Sequence, residues 1–555
     1  MDNIRIILFA ALAFILLLLW QAWQRDYGQP PPMAAQPATT SGTATQAPSA
    51  EIPHAPADTA AVSTAVPLPA GQASGTLFQT GTRITVLTDV LRVVIDTVGG
   101  DVRRLDLVDY PEEPQTPDRP FRLLNDSLPD VFVAQSGLYS AEQQAPSHLA
   151  VFASDTSEYR LADDASELSV PLTWADPSGV TVVKTYTFHR GAYVIDLTQT
   201  VENKTGAVWI GREYRQLQRT EPPKDDKQRF IHTYLGGAIY SEQDKYQKIS
   251  FKDMESSNLD RDVKGGWVAM IQHYFLGAWV PPADQLNNFF TRTLSQGRHV
   301  IGMYSPAETI PDGASYQFHT RLVAGPKLQK HLADVAPGLE LTVDYGLLTV
   351  LAQPVFWLLD KIHSLIGNWG WSIIFVTVII KLLFFKLSET SYRSMANMRR
   401  LSPRLQALKE RYGDDRQRLN QAMMEIYKKE KINPLGGCLP IVVQIPVFIS
   451  LYWVLLETVE LRQAPFMLWI TDLSGKDPYY VLPVVMGITM FVQQKLNPAP
   501  MDPIQAKVMM ALPLIFTVFF AFFPSGLVLY WVVNNILSVA QQWVITRRIE
   551  RGATK

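Results

Sequence analysis

The sequence predicts a helical membrane bundle of six spans that carries a large all-β domain outside the cytoplasm. Three observations predict it. Long uncharged runs occupy the N-terminus and the last third of the 555 residues, while residues 76–340 alternate apolar and polar residues as strands do. Lys and Arg concentrate in the segment 388–433 and in the C-terminal tail, which fixes the orientation of the runs between them. A hydrophobic content of 47 % is too high for a wholly soluble chain of this length. The net charge of -2, set against those basic segments, leaves the β region net acidic, which argues against nucleic acid as its partner. The single cysteine, Cys438, excludes an intramolecular disulfide framework and a multi-cysteine metal site, and reads as a small packing residue.

Residues 1–24 hold one Arg, an apolar run and the interface residues Trp20 and Trp23. No small-x-small cleavage site follows closely, so an uncleaved anchor with a cytoplasmic N-terminus is expected ahead of a cleaved signal peptide. Residues 25–75 are Pro, Ala, Ser, Thr, Gln and Gly with almost no large apolar side chain, a flexible tether with a reach of roughly 40 Å. In 76–340, stretches such as "VTVVKTYTFHRGAYVIDLTQTVENKTG" alternate and are broken by Gly and Asn, which predicts a β-sandwich. The histidines there, His189, His232, His273 and His319, read as ordinary surface or core residues in preference to a sugar-directed site.

Residues 345–366 are long enough to span but carry Pro354, Asp360, Lys361 and His363. If they spanned, the basic segment 388–433 would face outward, so an interfacial amphipathic helix is expected. The spans then fall at 370–387, 436–458, 479–496, 508–524 and 526–545, with a basic cytoplasmic tail at 546–555. Both termini are cytoplasmic in this arrangement. Within 388–433, Met398, Leu401, Leu405, Leu408 and Tyr412 recur at coiled-coil spacing, Gly413 ends the helix and Asp414 is the expected cap of a second one, with Pro403 kinking or restarting the first. The result is a helical hairpin that is either a solvated connector lying on anionic lipid or a docking arm.

The first of these five spans carries Lys381 well inside the apolar run and Lys386 near its end. A central lysine costs about 2.5 to 3.5 kcal/mol on insertion scales, which the surrounding Leu, Ile, Phe and Val residues outweigh. Helical side chains point toward the N-terminus, here the outer side, so Lys381 would snorkel to the cytoplasmic interface only against that tilt. Lys386 has no such difficulty and reads as an anchor. Thr377 sits one turn from Lys381, and Gln444, Thr517, Asn534, Asn535, Gln541 and Gln542 place polar atoms in the other spans. These either bond one another between helices or line a hydrated cavity around the cation. No acidic residue lies centrally in these spans to neutralise it.

The motifs "INPLGGCLPIVVQIPVF", "ELRQAPFMLWITDLSGKDPYY", "FTVFFAFFPSGLVLYWVVNN" and "SMANMRRLSP" resemble the YidC/Oxa/Alb family of membrane protein insertases, nearly continuously from Tyr345 to Arg551. The plan is similar to the Gram-negative six-span type. The resemblance implies a five-helix insertase core with an N-terminal anchor helix, a periplasmic β-supersandwich domain, and a hydrophilic groove open to cytoplasm and lipid. The family's groove arginine falls on Lys381, which keeps the charge and loses the planar fork. A tyrosine usual on the last span falls at Trp531, beside Tyr530. The expected substrate groove is Lys381, Thr377, Gln444, Tyr530, Trp531, Asn534 and Asn535. Implied partners are nascent membrane proteins, the Sec translocon, the ribosome and a targeting receptor at the hairpin, and the lipid bilayer, with no sequence-specific nucleic acid binding and no cofactor. No GxxxxGK[ST] phosphate loop is present, and no Ser/His or paired-Asp set lies in the spans for an intramembrane protease. The alternative is a small-solute transporter with Lys381 as its anion site.

Overall fold

The computed structural model describes residues 78–222, 233–413, 415–430, 439–496 and 503–552. The expected anchor 1–24 and tether 25–75, together with His232, Asp414 and Cys438, lie outside the described residues. The described residues form two compact units, one holding those up to Asp344 with Glu457–Glu460, the other Tyr345–Leu456 and those from Leu461 onward.

Among the described residues the first unit is a sandwich of an eleven-stranded and an eight-stranded sheet. Its strand pairs are antiparallel except that Arg83–Leu87 runs parallel to Glu158–Arg160. The alternation in the sequence becomes the register. Along Val180–His189 every second side chain is buried, and Val194–Asn203 beside it alternates in step. The inner faces close over Leu172, Tyr186, Leu197, Leu217, Trp279 and Ile301. Because side chains alternate strictly along a strand, Lys184 falls on the same inner face as Val182 and Tyr186. The unit also carries two short helices, α1 (Phe251–Ser256), capped by Ser250 in a reciprocal box with Asp253, and α2 (Gln329–Val335). The edge strand Glu167–Ala175 holds Pro171, whose missing N–H suits an edge position.

The second unit is helical. After a short 3-10 turn, α3 (Thr349–Ile366) buries Ala352, Phe356 and Leu359 along one stripe and ends at Gly367, whose φ of 71° a glycine adopts without penalty. Asn368 then caps α4 (Trp369–Leu383) by accepting from the Trp371 N–H at 3.1 Å. α4 ends at Leu383, four residues short of the expected end of the span at Leu387, and after a break at Phe384 α5 (Phe385–Tyr412) leaves it at 68°. Neither Pro nor Gly marks the break. Lys386 thus lies in the first turn of α5, exposed. α5 runs unbroken past Pro403, and α6 (Arg416–Lys429) is capped by Asp415, one residue beyond the expected Asp414. Leu401, Leu405 and Met423 form the buried seam between α5 and α6.

The remaining helices are α7 (Leu439–Glu457), α8 (Val481–Leu496), α9 (Pro503–Phe520) and α10 (Ser525–Gly552). α10 continues through most of the segment expected as a separate basic tail. No single helix among the described residues is both long and apolar enough to cross a membrane; α4 with Phe385–Leu401 meets that requirement only as a bent pair. Large apolar side chains nonetheless stand exposed, among them Val350 at 82 %, Leu365 at 86 % and Leu514 at 71 %.

Candidate substrate groove

One face of α10 gathers several polar residues of the helical unit. Tyr530, Trp531, Asn534, Asn535, Ser538 and Gln542 recur at intervals of three, four and neighbouring positions, which places them along a single broad stripe. Tyr530, Trp531, Asn534 and Asn535 line a cavity of about 300 Å³, and α7 adds Gln444 to its wall. The lining is largely apolar, with Ile445, Met490, Leu512 and Phe516 among its residues, broken by side-chain amides, and holds no charged side chain among the described residues. Phe448 of α7 meets the Trp531 ring edge-on at 4.6 Å, and Phe520 of α9 packs on it at 5.3 Å, so the indole is held from two sides. Its Nε1 is buried with no hydrogen-bond partner among the described residues. Asn535 donates to the Thr489 hydroxyl at 3.3 Å, which ties α10 to α8.

Lys381 and Thr377 stand outside that lining. The Thr377 hydroxyl donates to the Ile373 carbonyl of its own helix at 2.6 Å and is buried, so its polarity is spent locally. Lys381 is 8 % exposed and donates from Nζ to the Ser538 hydroxyl at 2.7 Å. Ser538 in turn donates to the Asn534 carbonyl at 2.7 Å, so the ammonium meets α10 one turn beyond a residue of the cavity wall. No carboxylate pairs with it among the described residues. Five of the seven expected residues therefore share one cavity, the lysine joins their helix face through a serine, and the threonine does neither.

Sequence reasoning missed Ser538, Gln493 and Gln494. The two glutamines of α8 also line the cavity, and their position near the end of an apolar run hid them as interface residues. Ser538 lies four residues after Asn534, which is the only signal it offered.

A second polar cluster lies inside the β sandwich. Lys184 Nζ donates to the carbonyls of Gly99 at 2.8 Å and Ser136 at 2.9 Å and stands 3.7 Å from Asp101. Burial pushes its ammonium down to about 8, opposed chiefly by the Asp101 charge. Nearby, Arg215 pairs with Glu213 at 2.7 Å, and Gln199 of the facing sheet donates to the same carboxylate at 2.9 Å. Each member is fully buried, which suits a network that holds two sheets in register and gives a solute no way in. Of the histidines, His189 and His319 flank Asp196 at 2.6 and 3.8 Å on a half-exposed face, and His273 stacks on Tyr274. Among the described residues no group of three or more His, Cys, Asp or Glu is arranged to hold a metal ion.

Two family descriptions match the chain, "YidC periplasmic domain" over residues 83–358 and "60Kd inner membrane protein" over residues 361–552. A membrane protein insertase YidC of Methylococcus capsulatus is 57 % identical over the full length of both chains, and one of Thioalkalivibrio sulfidiphilus is 54 % identical, again over the full length of both. A solved YidC insertase with its first transmembrane domain resolved aligns over 83 % of this chain and 92 % of that one, at 17 % identity and a TM-score of 0.38. Family membership rests on the sequence relatives and not on that superposition.

Proposed function

The chain belongs to the YidC family of membrane protein insertases of the inner membrane, and we propose that its α10 face, with Lys381, is the groove that receives the segment to be inserted. Nascent membrane proteins are its substrates. The one observation that carries the groove reading is a buried ammonium with a hydroxyl partner and, among the described residues, no acid, held on the helix face that also walls a cavity carrying several side-chain amides. Burying an unneutralised cation is expensive, and such charges in membrane helices mark sites of function.

The chemistry follows from that charge. A segment with an acidic or polar tail is drawn from the cytoplasm toward Lys381, and the amides of Gln444, Asn534 and Asn535 exchange hydrogen bonds with its backbone in place of water. Its apolar part partitions into lipid alongside. For a negative tail the membrane potential adds about 2.3 kcal/mol per charge per 100 mV, so no nucleotide is required.

Six spans with both termini in the cytoplasm is the arrangement that satisfies every loop. It is supported by the exposed apolar side chains of α3, α8 and α9, which exceed what a water-soluble surface carries. The hairpin α5–α6, with eleven Lys and Arg against six Asp and Glu over residues 389–431, is the docking arm for the ribosome and targeting receptor, and the Sec translocon is the membrane partner. The relatives give the transporter alternative no support.

The test is insertion into proteoliposomes of two single-span proteins that differ only in having an acidic or a neutral tail. Lys381→Arg should retain the acidic substrate, whereas Lys381→Ala should lose about tenfold and Lys381→Glu more. Equal insertion by all three would make the lysine a bystander.

A further inference from the structure

We infer that Ser538 is a positioning residue for the Lys381 ammonium, holding that charge on the cavity-bearing face of α10; the inference rests on the groove reading above. Ser538 is 3 % exposed, and three helices meet at its hydroxyl. It accepts from Lys381 of α4 and donates to the Asn534 carbonyl of α10, and Tyr392 of α5 lies beside it. A hydroxyl has one donor and two lone pairs, so its donor is spent on the Asn534 carbonyl and a lone pair holds the lysine. The ammonium is left in the opposite state. It has three N–H groups, one spent on Ser538, and among the described residues the other two meet no protein acceptor.

That asymmetry makes the serine a holder and not a competitor. A neutral hydroxyl fixes where the nitrogen sits without cancelling its charge, as a carboxylate would, and leaves two donors for a carboxylate or peptide carbonyl of an incoming polypeptide. Lys381 lies just before the break at Phe384 and Tyr392 lies beyond it, so Ser538 touches both arms of the 68° bend. Gln541, one turn on, adds a bond of 3.4 Å to the Phe385 carbonyl. With the hydroxyl gone, no other hydrogen bond among the described residues ties the Lys381 ammonium to α10.

The experiment is the same two-substrate insertion assay, run on the full chain with Ser538→Ala, Ser538→Thr, Lys381→Ala and the double variant Ser538→Ala/Lys381→Ala. Ser538→Ala should lower insertion of the acidic-tailed substrate about tenfold, the scale of one hydrogen bond to a charged group, and leave the neutral-tailed one within about twofold of wild type. Ser538→Thr, which keeps the hydroxyl, should restore the acidic substrate. The double variant should be no worse than Lys381→Ala, since the serine acts through the lysine. An equal fall for both substrates, or no rescue by threonine, would show a packing role and overturn the inference. So would wild-type insertion by Ser538→Ala where Lys381→Ala fails, an outcome that leaves the groove reading standing. If Lys381→Ala itself inserts the acidic substrate normally, the groove reading falls, and the positioning role with it.

Discussion

Lys184 lies between two β-sheets with Asp101 at 3.7 Å and two carbonyl oxygens at 2.8 and 2.9 Å; Lys381, in the helical unit, has a serine hydroxyl at 2.7 Å and no carboxylate among the described residues. Both are buried. In the sandwich the ammonium is enclosed by groups that spend its charge and its donors, and the outcome is a fixed register between sheets. In the helical unit it is placed and left with charge to spare. Burial alone does not distinguish the two cations; the inventory of their partners does, and it is that inventory on which the groove proposal rests.

The widest gap between the two should appear on removal. Lys184→Met strips a buried network of its cation and leaves two carbonyls without their donor, at an expected cost of roughly 3 to 5 kcal/mol in denaturant unfolding followed by tryptophan fluorescence. Lys381→Met in the same measurement should cost less than about 1 kcal/mol, because it deletes a poorly compensated charge. Equal losses at both sites would break the comparison.

A smaller effect sharpens it through pH. The Lys184 ammonium titrates near 8 in the folded protein against an ordinary value of 10.5. Between these values the unfolded chain binds the extra proton, so the contribution of Lys184 to stability is least favourable below pH 8 and improves as the pH rises toward 10.5. The stability of wild type relative to Lys184→Met should therefore increase by roughly 1 kcal/mol per pH unit across that window. Groups common to both proteins cancel in the difference, and a flat difference would remove desolvation as the governing cause.

The smallest effect is a control. Arg404 and Glu430 pair at 3.1 Å across the hairpin with side chains 70 % and 40 % exposed. Arg404→Ala should change stability by less than about 1 kcal/mol, and only at low salt, because water screens what the protein interior does not.

How far these features could be read in advance depended on whether their causes were local. The alternation of Val180–His189 announced a strand, and the same alternation carried Lys184 inward. Nothing local announced its acid, since Asp101 comes from a distant strand of the facing sheet. Asn534 and Asn535 stood out because amides are conspicuous in an apolar run, whereas Ser538 did not, because serine is small and can satisfy itself on its own helix. Thr377 shows the converse: a polar residue at the right spacing from Lys381 whose hydroxyl is used up one turn back. The bend at Phe384 had no sequence mark, and the contacts that hold it come from α10. Adjacent acids at 414 and 415 left the cap ambiguous by one residue, a choice made by backbone geometry that composition does not carry.

The bend has a mechanical consequence. α5 is a single helix of 28 residues that starts from the bend at Phe384, next to the Lys381–Ser538 contact. At 1.5 Å per residue it is about 42 Å long, so a swing of about 10° at the bend would carry its far end roughly 7 Å. The hydroxyl that holds the lysine sits beside this bend, so a small change in angle there would move the hairpin end of α5 by several times as much.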